Sequence, residues 1–110
     1  MVVSQPERAD RVFAALSDPT RRDILRRAAV GEPSVSALAR HYAMSFAAVQ
    51  KHVATLERAG LVAKRRRGRE QLVSTRVEAV REARHELEAL ERLWRDRLAR
   101  FGEVLEEEQR

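Results

Sequence analysis

Cysteine is absent from these 110 residues. That excludes disulfides, thiolate metal sites and cysteine nucleophiles together. Glycine is scarce, four in all, too few for several phosphate-cradling loops, and no GxxxxGK or GxGxxG string occurs. There is no apolar run of about 18 residues, so no membrane span is expected. Met1 to Pro6 lack the basic-then-apolar layout of a secretory leader. No GxSxG or HExxH string is present, and no set of residues has the spacing of an acid–base or nucleophilic constellation, so an enzyme reading has no anchor.

Charge is abundant: 35% of residues are charged against 44% hydrophobic, and the net charge is +5. This composition suits one soluble globular domain with a modest core. The distribution says more than the total. Residues 1–77 hold 15 Arg or Lys and 7 Asp or Glu, whereas residues 78–110 hold 7 and 10. A basic body with an acidic tail suggests that the body meets a polyanion and the tail meets something else.

Gly and Pro divide the body into helix-length segments. Ala9, Val12, Phe13 and Leu16 recur at helical spacing over about Glu7 to Leu16. Asp18-Pro19 reads as an N-cap followed by proline at the first helical position, opening a second helix to about Ala29 that buries Ile24, Leu25 and Ala28. Ser34 caps a third, with Val35, Leu38, Ala39 and Tyr42 as one stripe. Ser45 caps a fourth, with Phe46, Val49, Val53 and Leu56 inward and Gly60 as its stop. Two such helices joined by a short turn form a helix-turn-helix. The outer face of the fourth helix then carries Ala47, Gln50, Lys51, Ala54 and Arg58, with no acid among them. Small residues permit close approach to a major groove, an amide can bridge an adenine edge, and lysine can reach guanine or phosphate.

Leu61-Val62-Ala63 and Leu72-Val73-Ser74-Thr75 are β-prone and flank Lys64-Arg65-Arg66-Arg67-Gly68-Arg69. This reads as a hairpin with five cations at its tip, repelling one another unless a polyanion lies between them. Such a wing suits a DNA backbone or minor groove. From about Val77 to Glu107, Val80, Ala83, Leu87, Leu90, Trp94, Leu98, Phe101 and Leu105 step by three and four, close to a heptad seam. A helix that long exceeds what so small a domain can cover, and a second copy of the chain would bury the remainder.

With these residues in place, the chain resembles the ArsR-type winged-helix transcriptional repressors, over about residues 8–108. Ala15-Leu16-Ser17-Asp18-Pro19-Thr20-Arg21-Arg22-Asp23-Ile24-Leu25 is similar to the family's opening signature. Met44 to Val53, continuing to Leu56 and Ala59-Gly60-Leu61-Val62, is similar to its recognition helix and the entry to its wing. Gly68-Arg69 resembles the wing tip, and the tail from Trp94 resembles members lacking metal sites. The resemblance implies a mainly α winged helix-turn-helix with a small β-hairpin wing, forming a homodimer through its first and last helices on an inverted repeat over a promoter. The divisions expected are a flexible N-terminus (1–7), the DNA-binding region (8–76) and a long dimerisation helix (77–108), all one domain.

The DNA-binding candidates are Ser45, Phe46, Ala47, Gln50, Lys51, His52, Arg65, Arg66, Arg67 and Arg69, with Thr20, Arg21 and Arg40 at phosphates. Those for dimerisation are Val12, Phe13, Leu87, Leu90, Trp94, Leu98, Phe101 and Leu105. Two positions depart from the family pattern. Gln50 stands where many members have serine, which implies a different operator, and Val73 stands where an aromatic is common. The family's cysteine metal site is impossible here. Its two-histidine site on the last helix meets only His85, with Glu82, Glu86 and Glu88 nearby, a weak ligand set. No metal or cofactor is expected, and the sequence names no effector. The expected protein is a cytoplasmic repressor whose partners are double-stranded DNA and itself. A nonspecific DNA-organising protein and a protein-interaction module using the last helix are the alternatives.

Overall fold

A computed structural model describes residues 5–109. Its elements run α1 (Gln5–Leu16), α2 (Pro19–Val30), α3 (Val35–Ala39), α4 (Phe46–Arg58), β1 (Val62–Arg67), β2 (Glu70–Thr75) and α5 (Glu78–Glu108). Of the N-terminus expected to be flexible, residues 1–4 lie outside the described residues, and 5–7 instead form the first turn of α1.

The expected caps are in place. The Asp18 carboxylate accepts from the Arg21 N–H at 2.9 Å, Ser34 Oγ from Ala37 N–H at 3.0 Å, and Ser45 Oγ from Ala48 N–H at 3.1 Å. Each satisfies a first-turn donor with no partner inside its helix. Helix α4 ends in a Schellman motif. Gly60 takes φ +76°, its N–H donates to Glu57 O, and Leu61 N–H donates to Leu56 O, both at 3.0 Å. The accompanying apolar contact is between Leu56 and Leu61, both buried. Gly31 ends α2 in extended conformation, with no left-handed residue.

The core joins one face of every helix to the inner face of the wing: Val12 and Ala15, Ile24 and Ala28, Val35 and Leu38, Val49, Val53 and Leu56, then Leu61, Val62, Val73 and Ala83. Two expected positions differ. Leu25 is only half-buried, and Phe46 is 46% exposed at the start of α4. Helix α3 is five residues long, shorter than the stripe ending at Tyr42 suggests. Tyr42 still packs on the core from just beyond it.

The hairpin is longer than expected. β1 and β2 pair antiparallel from Val62↔Thr75 to Arg67↔Glu70, leaving Gly68-Arg69 as the turn. Gly68 takes φ +61°, and no non-glycine residue has positive φ, the pattern of a II′ turn. Val73 N–H donates to Pro33 O at 2.9 Å, pinning β2 to the α2–α3 connection. The start of α5 packs on α1, with Ala83 buried between them and Arg8 Nε donating to Glu82 Oε2 at 2.9 Å. Beyond this the helix leaves the body, and the molecule measures 73 × 35 × 21 Å.

Candidate nucleic-acid interface

The N-terminal half of α4 projects Ser45, Phe46, Ala47, Gln50 and Lys51 to solvent, because Val49, Val53 and Leu56 occupy the opposite side in the core. A cleft of about 310 Å³ separates this face from the wing, with Phe46 and Gln50 on one wall and Arg66, Arg69 and Gln71 on the other. The register explains the wall. Val62, Lys64 and Arg66 alternate onto the side of β1 that faces α4, and Gln71 stands opposite Arg66. Gln71 was not among the sequence candidates. Only the pairing register, set by the position of Gly68, brings it to the cleft.

The wing is less self-repulsive than its sequence implies. Four of its five cations lie along β1 and not at the tip, and carboxylates from elsewhere meet two of them. Lys64 Nζ is 3.5 Å from Glu57 Oε1 on α4, and Arg65 pairs with Glu32 beside α3. Arg65 is therefore held on the side of the wing away from the cleft. Glu57, seven residues beyond Gln50, lies in line with it on the helix. The outer face of α4 is thus free of acids only in its first two turns. Arg66 donates to Gly68 O at 3.3 Å. Arg67 and Arg69 have no ion-pair partner within 4.0 Å among the described residues.

Arg21, expected at a phosphate, instead turns inward. Its Nε donates to Ala15 O at 2.7 Å and its Nη2 to Ala14 O at 3.1 Å, while Arg22 Nη1 donates to Leu16 O at 2.7 Å. The last turn of α1 has no basic residue of its own, so α2 supplies donors to its terminal carbonyls, alongside Ser17, whose N–H and hydroxyl donate to Ala14 O. Arg21 Nη1 also lies 3.3 Å from His52 Nδ1. A guanidinium only donates, so in this contact the ring nitrogen is the acceptor. His52 Nδ1 is 4.0 Å from Asp18 Oδ2. Half-buried His52 thereby joins α4 to the capped start of α2 and sets where the exposed face of α4 points. The Arg21 N–H, the first cause, holds the Asp18 carboxyl below its ordinary range, with His52 and the Arg21 charge adding to the effect. Thr20 is half-buried, and Arg40 is exposed at the end of α3.

Of the dimerisation candidates, Phe13 sits at 36% exposure, and Leu87, Leu90, Trp94, Leu98, Phe101 and Leu105 are all exposed along α5, joined by Leu93 and Val104. Val12 is the exception. It is 0% exposed within its own chain's core and has no surface to offer a partner. Among the described residues, no three His, Asp or Glu side chains gather closely enough to hold a metal ion.

A short helix, a second helix with a polar leading face, and a basic hairpin beside it define a winged helix-turn-helix, the architecture of DNA-binding transcriptional regulators. A family model described as a helix-turn-helix domain matches residues 16–65. The chain is 35% identical over 102 residues to the HTH-type transcriptional regulator Rv2034 of Mycobacterium tuberculosis, covering 90% of each. An ArsR-like transcriptional regulator from Rhodococcus sp. RHA1 superposes with a TM-score of 0.79 at 32% identity, over 93% of this chain and 96% of that one. A homodimeric winged helix-turn-helix domain from Mycobacterium bovis, Mb0332, a possible ArsR-family regulator, does so with 0.64 at 27% identity, over 87% and 91%. The chain belongs to the ArsR family of winged-helix transcriptional regulators.

Proposed function

We propose that the protein is a homodimeric, sequence-specific repressor acting in the cytoplasm on an inverted-repeat operator, its own promoter included. The observation that carries this reading is the cleft between the exposed leading face of α4 and the arginines of the wing. Ser45, Ala47, Gln50 and Lys51 approach base edges there, Arg66 and Arg69 flank them, and Arg67 follows the backbone. Phe46 supports contact at the groove edge, and Arg40 lies at a neighbouring phosphate. Arg65 joins only by exchanging Glu32 for a phosphate.

The bare seam of α5 supports dimerisation, and the homodimeric neighbour agrees with it. Two copies set the α4 helices in successive major grooves, about 34 Å apart. Occupancy then excludes polymerase from the promoter. No described helix is long and apolar enough to cross a membrane.

Capture of genomic fragments by the purified protein, followed by sequencing, tests the reading at near-physiological salt, where specific and nonspecific binding separate. Enrichment of one or a few inverted repeats is expected. Even recovery across the genome would overturn specific repression and leave a DNA-organising role. Lys51→Ala should weaken operator binding more than random-duplex binding, by about 1–3 kcal/mol in discrimination. Equal losses on both duplexes would remove Lys51 from the base-reading set.

A further inference from the structure

At the far end of α4 from the cleft, two adjoining open cavities of about 440 and 450 Å³ lie between α1 and α4, the first reaching the start of α5 and the second bounded by Arg21 of α2. They share Arg11, Arg58 and Ala59, and the first also has Arg8, Arg76, Glu78 and Glu82 on its walls. Volumes of this size suit small-molecule sites. The charges there are unbalanced. Glu82 is committed to Arg8 at 2.9 Å. Arg58 donates only to the neutral Thr55 Oγ1, at 3.3 Å. Arg11 and Arg76 have no side-chain partner among the described residues. Three guanidinium groups therefore stand against the single uncommitted carboxylate of Glu78. The negative end of α4 accounts for Arg58, but not for Arg11 on another helix or Arg76 on the link to α5. In addition, α5 opens at Val77 with no side-chain cap, so the first-turn N–H groups beside the cavity lack that partner. The floor is small and largely apolar: Ala59, Gly60 and Ala79.

We infer that this cavity binds a small ligand carrying a carboxylate or phosphate on a compact apolar body, its oxyanion held by Arg11, Arg58 and Arg76. Guanidinium groups from separate elements are suited to such a group because each can donate two parallel hydrogen bonds. The ligand ties α1, the end of α4 and the entry to α5 together. Resting on the dimeric-regulator reading, this makes it an effector: it holds the reading helix in one orientation against the dimer helices and so sets the distance between the two α4 helices. The site lies about 18 Å along α4 from Phe46, so the ligand acts without touching the DNA cleft.

The test uses the full chain without DNA first. Backbone amide NMR signals are followed during titration with benzoate and, separately, phenyl phosphate, two probes that share a body and differ in the anion. Ionic strength is held constant with chloride. Saturable shifts at Ala59, Gly60 and Ala79 are expected, with the tighter probe naming the headgroup. Arg58→Gln and Arg11→Gln should each weaken binding about tenfold or more, Arg11→Lys less, and the wing variant Arg69→Gln not at all. Unaltered amide spectra away from the cavity establish that the variants fold. Non-saturating shifts like those from chloride, or equal weakening by Arg69→Gln, would overturn the site. So would loss of random-duplex affinity in Arg11→Gln with probe binding intact, which would assign these arginines to DNA. In a second arm, operator affinity is measured at matched ionic strength with and without the tighter probe. A change abolished by Arg58→Gln supports the effector role. Probe binding with no change in operator affinity overturns regulation, and absence of any operator binding overturns the repressor reading, while the NMR result stands independently.

Discussion

Tyr42 is the chain's single tyrosine, and its hydroxyl donates to Asp23 Oδ2 at 2.7 Å. Asp23 also accepts from Arg27 Nε at 2.9 Å, so the turn that follows the short α3 is tied to the middle of α2. Burial, then the bond to Asp23, pushes the phenol from its ordinary 10.0 up to about 12. The same bond, with Arg27 next, holds Asp23 below its ordinary 3.8. A raised phenol favours the neutral folded form. Its contribution is whole below pH 10.0 and is lost as pH rises through about 12. For Asp23 the contribution is present above pH 3.8 and is lost as pH falls below it. Phenolate absorbance should therefore show a native midpoint near 12 that moves down toward 10.0 in Asp23→Asn; a midpoint unmoved by that change would show that the bond does not form in solution. Ser45 permits a second separation at this scale. Ser45→Ala should cost about 1 kcal/mol in denaturant unfolding. Ser45→Asp should retain the cap yet cut DNA affinity by about tenfold or more, because the carboxylate would face phosphate. If Ser45→Asp bound DNA as well as the native chain, this residue would lie away from the duplex.

Among the elements, the wing couples its local chemistry most directly to its task. Its turn needs the left-handed Gly68, where an added Cβ would meet open space. Gly68→Ala should therefore lose about 1 kcal/mol from backbone strain alone, visible as fraying of the hairpin amides in hydrogen exchange. The Lys64–Glu57 and Arg65–Glu32 pairs orient the strand, but exposed ion pairs contribute only about 0–1 kcal/mol each. Their exchange for phosphate is correspondingly easy. Arg67 has no such partner to give up. Arg67→Ala should weaken operator and random duplex alike and flatten the salt dependence by about 1 per subunit. A loss confined to the operator would mean that Arg67 reads sequence.

The whole molecule is far from spherical. Its radius of gyration is 19.6 Å, against about 13 Å for an ordinary domain of this length. The excess is α5, about 45 Å long, with Trp94 65% and Leu98 70% exposed on its free part. An apolar stripe of that extent in water marks an association surface. Leu98→Glu combined with Phe101→Glu should halve the mass seen in light scattering. Those side chains take no part in the core, so the winged body should stay folded. A native chain that is already monomeric would remove the dimer from the mechanism. If each subunit neutralises about four phosphates, log K against log salt should have a slope of about −7, and a slope shallower than about −3 would contradict that contact set.

Much of this arrangement is local in origin and so is legible in the order of residues. Caps at Asp18, Ser34 and Ser45, the glycines at 60 and 68, and the three- and four-residue steps of α5 each depend on neighbours within a turn or two. They define the elements, the exposed leading face of α4 and the unpartnered seam. Long-range geometry decided the remainder. Arg21 belongs to the carbonyls of α1 because α2 folds back across that helix end. Arg65 is held by Glu32, 33 residues away, and Gln71 joins the cleft through strand register. Val12 and Phe13 are adjacent in sequence, yet one fills the core and the other meets solvent. A long cationic side chain can reach several partners, and which one it meets depends on how distant segments pack, a choice that helical and strand periodicity does not encode.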